Sequence, residues 1–188
     1  MYEFAPVKEC TDHTLDTLFE RMSKSTEPLV LKGLVSDWPL ARASGESNAS
    51  ARSYLLDYYQ GAPVTTFISK TDIKGRIFYT DDLKETNFNQ VKLPMTEVFE
   101  QLARLEAVEN PQTVYMGSAA VNLYLPGFRE QNGLPNMPDT TTVRIWIGNR
   151  TTVAAHYDAM DNVACVCAGR RRFTLFPPDQ LENLYIGP

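Results

Sequence analysis

Histidine and cysteine are scarce in this sequence. The 188 residues include two histidines, His13 and His156, and three cysteines, Cys10, Cys165 and Cys167. No C-x-x-C spacing is present, and two cysteines at i and i+2 on one strand are poorly placed to bridge each other. We therefore expect reduced, buried thiols in a cytoplasmic protein, rather than a disulfide framework or a cysteine metal site.

Long apolar runs and excess positive charge are also missing. No stretch approaches the roughly 18 apolar residues of a membrane span, and the N-terminal segment MYEFAPVKECTDHT lacks the apolar core of a signal peptide. The net charge of −5 argues against a nucleic-acid surface as the main function, and residues 170–172 are the only basic run that could form one. With 43% hydrophobic and 22% charged residues, the chain is typical of one globular domain, residues 1–188.

The first half of the chain is predicted to be mainly helical, because its apolar residues recur at helical spacing behind capping signals such as Asp12 and Pro94. Short apolar runs between these segments predict strands, and the polar stretch 36–50 predicts a loop. The helices are predicted over 12–25, 51–61 and 94–108, and the strands over 28–34, 64–69 and 75–80.

The second half changes to strand-type patterns. After an alternating, aromatic run at 113–125, the segment 122–142 is rich in Pro, Gly, Asn and Thr and is predicted to be irregular. Four β-type runs follow, at 141–148, 151–159, 162–168 and 171–177. This order predicts an α+β fold with an antiparallel sheet or barrel in the C-terminal half.

An H-x-D pair stands on one of these runs. Period-two alternation places His156 and Asp158 on one strand face, with Tyr157 on the other. An imidazole and a carboxylate together can hold two positions of a non-haem Fe(II) site. The competing interpretation is a core histidine followed by a turn aspartate, and an isolated H-x-D motif does not decide between the two.

A cationic hairpin is predicted after the H-x-D pair. If Gly169 and Arg170 form a two-residue loop, cross-strand pairing places Arg171 on the same face as Asn162, Ala164 and Val166. A guanidinium on a small, apolar face needs an anionic partner, and it suits a carboxylate. A basic hairpin tip in solvent is the alternative, and the strand pattern leaves both open.

The charge count favours an anion at this place. Fe(II) with one aspartate keeps about one positive charge, and a dicarboxylic 2-oxo acid would exceed it by one. Arg171 would restore the balance, and Asn162 and Tyr115 could donate hydrogen bonds to such an acid.

The segments HYDAMDN and GRRRFTLFPPDQLENLY, together with PLVLKGLVSDWPL and VRIWIG, resemble the cupin-like JmjC oxygenases of the factor-inhibiting-HIF type. The resemblance extends from about residue 28 to the end of the chain. It implies a double-stranded β-helix, a jelly-roll barrel with helical additions at its N-terminus. It also implies an Fe(II)- and 2-oxoglutarate-dependent hydroxylase acting on a protein or peptide, or in some relatives on a modified tRNA base.

The same resemblance assigns roles to residues. It implies that His156 and Asp158 are iron ligands, and that Asn162 and Tyr115 lie beside 2-oxoglutarate. Arg171 occupies the position where such proteins commonly have the lysine that pairs with the cosubstrate. Val153 stands where a threonine is frequent.

The third iron ligand is expected outside these residues. The family's second histidine follows several strands later, and only 32 residues separate His156 from Pro188. We therefore expect the N-terminal portion of a longer protein, with an incomplete barrel and a homodimer formed by later helices. Two alternatives are a non-catalytic cupin-like binding module and a sugar cupin, although the latter usually needs clustered histidines.

Overall fold

The computed structural model describes residues 5–11, 18–138 and 140–184. Asp12, the predicted helix cap, and His13 lie outside these ranges. No helix in the described ranges is long and apolar enough to cross a membrane. The helices are α1 Leu18–Lys24, α2 Pro39–Glu46, α3 Asn48–Leu56, α4 Met95–Leu105, α5 Val121–Tyr124 and α6 Phe128–Gln131. The strands are β1 Lys8–Cys10, β2 Leu29–Leu31, β3 Val64–Ser69, β4 Arg76–Ile77, β5 Asn89–Leu93, β6 Thr113–Ala120, β7 Arg144–Gly148 and β8 Thr152–Val153.

A four-stranded antiparallel sheet is the centre of the fold. Its strand order is β5-β3-β6-β7. The parallel pairs β1-β2 and β4-β8 form two separate two-stranded sheets. The described strands therefore form an α+β structure without a closed barrel. This arrangement is consistent with the expected jelly roll but does not confirm it.

The hydrophobic core lies between one face of this sheet and the helices. Val114 and Met116 of β6 are fully buried there, because alternate residues of a strand share a face. The predicted amphipathic pattern of α4 is confirmed, since its buried residues follow helical spacing. These residues are Met95, Val98, Phe99 and Leu102.

The predicted loop at 36–50 is wrong. Helix α2 and the first three residues of α3, residues 48–50, lie within it. Pro39 begins α2, where a proline loses no helical hydrogen bond, and Leu40 is buried in the core. The Ser47 side chain then caps α3 by accepting a hydrogen bond of 2.9 Å from the Ser50 N–H. Gly61 does not end this helix, which stops at Leu56.

The strand predicted over 151–159 is reduced to β8, Thr152–Val153, and the strands predicted over 162–168 and 171–177 are wrong in the described structure. No strand is present between β8 and Pro177, and residues 155–176 form no backbone–backbone hydrogen bond. A β-type sequence favours extended backbone, whereas a strand also needs a hydrogen-bonded partner. Within the described ranges the sheet takes its strands from residues 64–148, earlier than predicted.

Candidate metal and cosubstrate site

Tyr115 lies on the sheet face that points away from the helical core. Its neighbours across the sheet are Phe67 on β3 and Gly148 on β7. The Tyr115 and Phe67 ring centroids are 6.3 Å apart, and the Tyr115 residue is only 9% exposed. Strand alternation therefore places the Tyr115 hydroxyl on the face of the sheet opposite to Val114 and Met116.

Arg171 of the C-terminal segment is exposed, and its charge acts on this hydroxyl. Burial raises the pKa of Tyr115, and the charge and hydrogen bonding of Arg171 partly offset that increase. No acidic side chain of the described residues forms a salt bridge with Arg171. Among the described residues, the Arg171 guanidinium therefore has no carboxylate partner, and both it and the Tyr115 phenol can donate hydrogen bonds to an anion.

The predicted hairpin is not what brings Arg171 to Tyr115. Within 162–168 the half-buried residues are Val163, Cys165 and Cys167, while Ala164 and Val166 are exposed. The predicted pairing placed Ala164 and Val166 on the inner face, whereas the structure exposes both residues. Arg171 itself is exposed and belongs to no strand ladder.

His156 is exposed and oriented by its own segment. Its Nδ1 lies 2.8 Å from the Ala154 carbonyl oxygen, a contact in which Nδ1 donates the proton. This tautomer leaves the Nε2 lone pair available, and histidine metal ligands typically use the same backbone contact to fix their orientation.

Asp158 and Asn162 form the second pair of predicted site residues. The Asn162 amide nitrogen donates to Asp158 Oδ2 at 3.2 Å and to the Met160 carbonyl oxygen at 3.0 Å. All three residues are exposed. A hydrogen-bonded carboxylate of this kind keeps its second oxygen available to a cation.

The donor set fits Fe(II) only in part. His156 and Asp158 offer one nitrogen and one carboxylate, which suit two positions of a facial site. Among residues 5–11, 18–138 and 140–184, no three His, Cys, Asp or Glu side chains lie close enough together to hold a metal ion. Nor does any hydrogen bond in these ranges join the Asp158–Asn162 pair to the Tyr115–Arg171 pair. The ligand roles of His156 and Asp158 stay predictions.

Sequence reasoning missed three residues around Tyr115. Phe67 and Gly148 are its direct cross-strand neighbours, and Trp146, which is 44% exposed, shares the face of Gly148 on β7. A bulge at 117–118 sets this register, because the pairing shifts between Met116 and Ala119. The Gly117-Ser118 pair inside a strand-type pattern is the sequence signal that could have predicted this bulge.

The cysteines of the C-terminal segment have no catalytic character. Burial raises the pKa of both Cys165 and Cys167 to about 11, so very little reactive thiolate forms near neutral pH. All three cysteines are free thiols of intermediate burial in the described structure.

The chain matches the family described as the cupin-like domain over residues 15–188, and it belongs to that family. The comparison with curated proteins gave no match.

Proposed function

We propose that this chain carries the cosubstrate-binding part of an Fe(II)- and 2-oxoglutarate-dependent dioxygenase. Membership of the cupin-like domain family, which includes such oxygenases, supports the reaction class. The placement of Tyr115, buried between Phe67 and Gly148 on the sheet, is the observation that carries the proposal, and the effect of Arg171 on the Tyr115 pKa supports it. Arg171, which is exposed, and the Tyr115 hydroxyl would provide a cation and a neutral donor for a carboxylate at this sheet face.

In this proposal Arg171 pairs with the distal carboxylate of 2-oxoglutarate, and the Tyr115 hydroxyl donates a hydrogen bond to the same group. Phe67 packs beside the Tyr115 ring. The absence of an acidic partner for Arg171 in the described structure leaves its charge for the ligand.

His156 and Asp158 would provide two ligands of Fe(II), through Nε2 and one carboxylate oxygen. When bound, the metal supplies the oxidation of a substrate C–H bond with O2 and 2-oxoglutarate. Asn162 holds Asp158 by its hydrogen bond and so restricts how the carboxylate is presented.

By resemblance, we propose a protein or peptide as the substrate, with a modified tRNA base as the alternative. The exposed indole of Trp146, on the same sheet face as Tyr115, would be suited to stack on either one. A cytoplasmic location and a homodimer are part of the same proposal.

Isothermal titration of 2-oxoglutarate under anaerobic conditions, with Mn(II) in place of Fe(II), tests this function. We expect one site per chain, and weaker binding of glutarate, which keeps both carboxylates but lacks the 2-oxo oxygen that a metal would hold. Equal affinity for both acids would contradict the metal role. No binding of either would favour the non-catalytic binding module.

A further inference from the structure

Gly148 lies directly under the Tyr115 ring. The two residues are paired across β6 and β7. A Cβ atom placed on Gly148 would stand 2.6 Å from Tyr115 Cδ2 and 2.9 Å from the Val114 carbonyl oxygen. Both distances are shorter than Cβ contacts found in proteins, so any side chain at position 148 must displace the ring, the backbone or both.

The space above Gly148, and not its backbone conformation, requires the glycine. Its φ is outside the left-handed region, so an alanine could adopt the same backbone angles. An extended strand normally disfavours glycine because it has no side chain to pack. The Tyr115 ring fills the volume that a side chain would take.

The ring also has little room on its other side. A Cβ atom on Gly117 would lie 2.9 Å from Phe67 Cε2 and 3.3 Å from Tyr115 Cε1. Two glycines and Phe67 therefore enclose the Tyr115 ring. A ring pushed away from Gly148 would have to move past Phe67, and its hydroxyl would leave Arg171.

We propose that Gly148 is a positioning residue, which lets the Tyr115 ring lie against β7 and so sets where its hydroxyl lies; in the proposed function this hydroxyl and Arg171 receive one carboxylate. The role of that carboxylate rests on the proposed function, whereas the placement of the ring does not. Gly148→Ala should separate the two donors while leaving both in the protein.

Fluorine NMR of protein labelled with 3-fluorotyrosine measures the ring placement without any ligand. The Tyr115 resonance is the one that Tyr115→Phe lacks. We expect Arg171→Gln to shift this resonance in the parent protein and to have little effect on it in Gly148→Ala. An equal shift in both proteins, or no shift in the parent, would overturn the proposal.

Two further variants keep this measurement decisive. Gly45→Ala is the matched control, because a Cβ on Gly45 in α2 meets no atom within 4 Å, and it should leave the Tyr115 resonance unchanged. Gly117→Ala presses on the same ring with a milder contact. It should give a smaller change of the same resonance, and this can be measured even if Gly148→Ala does not fold.

Titration of 2-oxoglutarate then connects the placement to binding. We expect Gly148→Ala to weaken the affinity roughly tenfold, and to add nothing further in a Tyr115→Phe background, because the hydroxyl is already lost there. Additive losses would assign Gly148 a merely structural role and overturn the proposal. If the parent protein binds no 2-oxoglutarate, the proposed function fails, while the fluorine spectra still decide the role of Gly148.

Discussion

Replacement of Asp158 by alanine is expected to abolish turnover of 2-oxoglutarate by the protein. Asp158 would be the only anionic ligand among the two that this chain offers to the metal, and its loss removes both a bond and the charge that offsets the cation. Even outer partners of metal ligands typically contribute 10–100-fold, so the expected loss is at least about a hundredfold. Succinate formation from 2-oxoglutarate measures it.

Asp161 provides the matched control for this substitution. It lies on the same exposed segment, three residues further on, and no metal role is proposed for it. Asp161→Ala should keep nearly all activity. If Asp158→Ala is as active as the parent protein, the iron site proposed at His156 and Asp158 is wrong.

Arg171→Gln is expected to weaken 2-oxoglutarate binding about thirtyfold, which corresponds to about 2 kcal/mol. Glutamine can still donate a hydrogen bond but carries no charge, and Tyr115 alone cannot balance a carboxylate. Isothermal titration with Mn(II) present measures the change. Arg171→Lys should recover part of the affinity, because a lysine keeps the charge but not the two-pronged contact.

The neighbouring arginines separate a specific contact from general charge. Arg170 and Arg172 are exposed members of the same run, and neither contributes to the pKa of Tyr115. Arg170→Gln and Arg172→Gln should each change the affinity less than threefold. Equal losses for all three arginines would mean that the run attracts anions without a defined site.

Local sequence signals predicted the elements that carry their own pattern. Helix α4 has its buried residues at helical spacing, and strand β3 was predicted with its observed bounds, Val64–Ser69. The resemblance carried by HYDAMDN and the hairpin-like segment led to the right family, because family motifs preserve the order of chemical groups along a chain. Arg171 and Tyr115 were named from the predicted strand pairing and the charge count as well as from that resemblance, and their roles stay predictions.

Long-range pairing was the part that the sequence could not supply. The polar stretch 36–50 contains helix α2 and the start of α3. Long-range contacts stabilise α2 there, because Leu40 is buried in the core and its N–H donates a hydrogen bond of 3.0 Å to Asn132, 92 residues later. The β-type runs after Val153 have no strand partners among the described residues, and their composition could not indicate this. The role inferred for Gly148 depends on its pairing with Tyr115. The local sequence pattern does not specify that strand register.

The small number of histidines allows one direct measurement of the metal site. Proton–carbon NMR of the imidazole groups should show two sets of signals, one from His13 and one from His156, and the His13→Gln variant assigns them. Addition of Mn(II) with 2-oxoglutarate should broaden the His156 signals strongly and leave those of His13 sharp, while Asp158→Ala should prevent the broadening. Sharp His156 signals at saturating Mn(II) and 2-oxoglutarate would contradict the proposed coordination by this histidine.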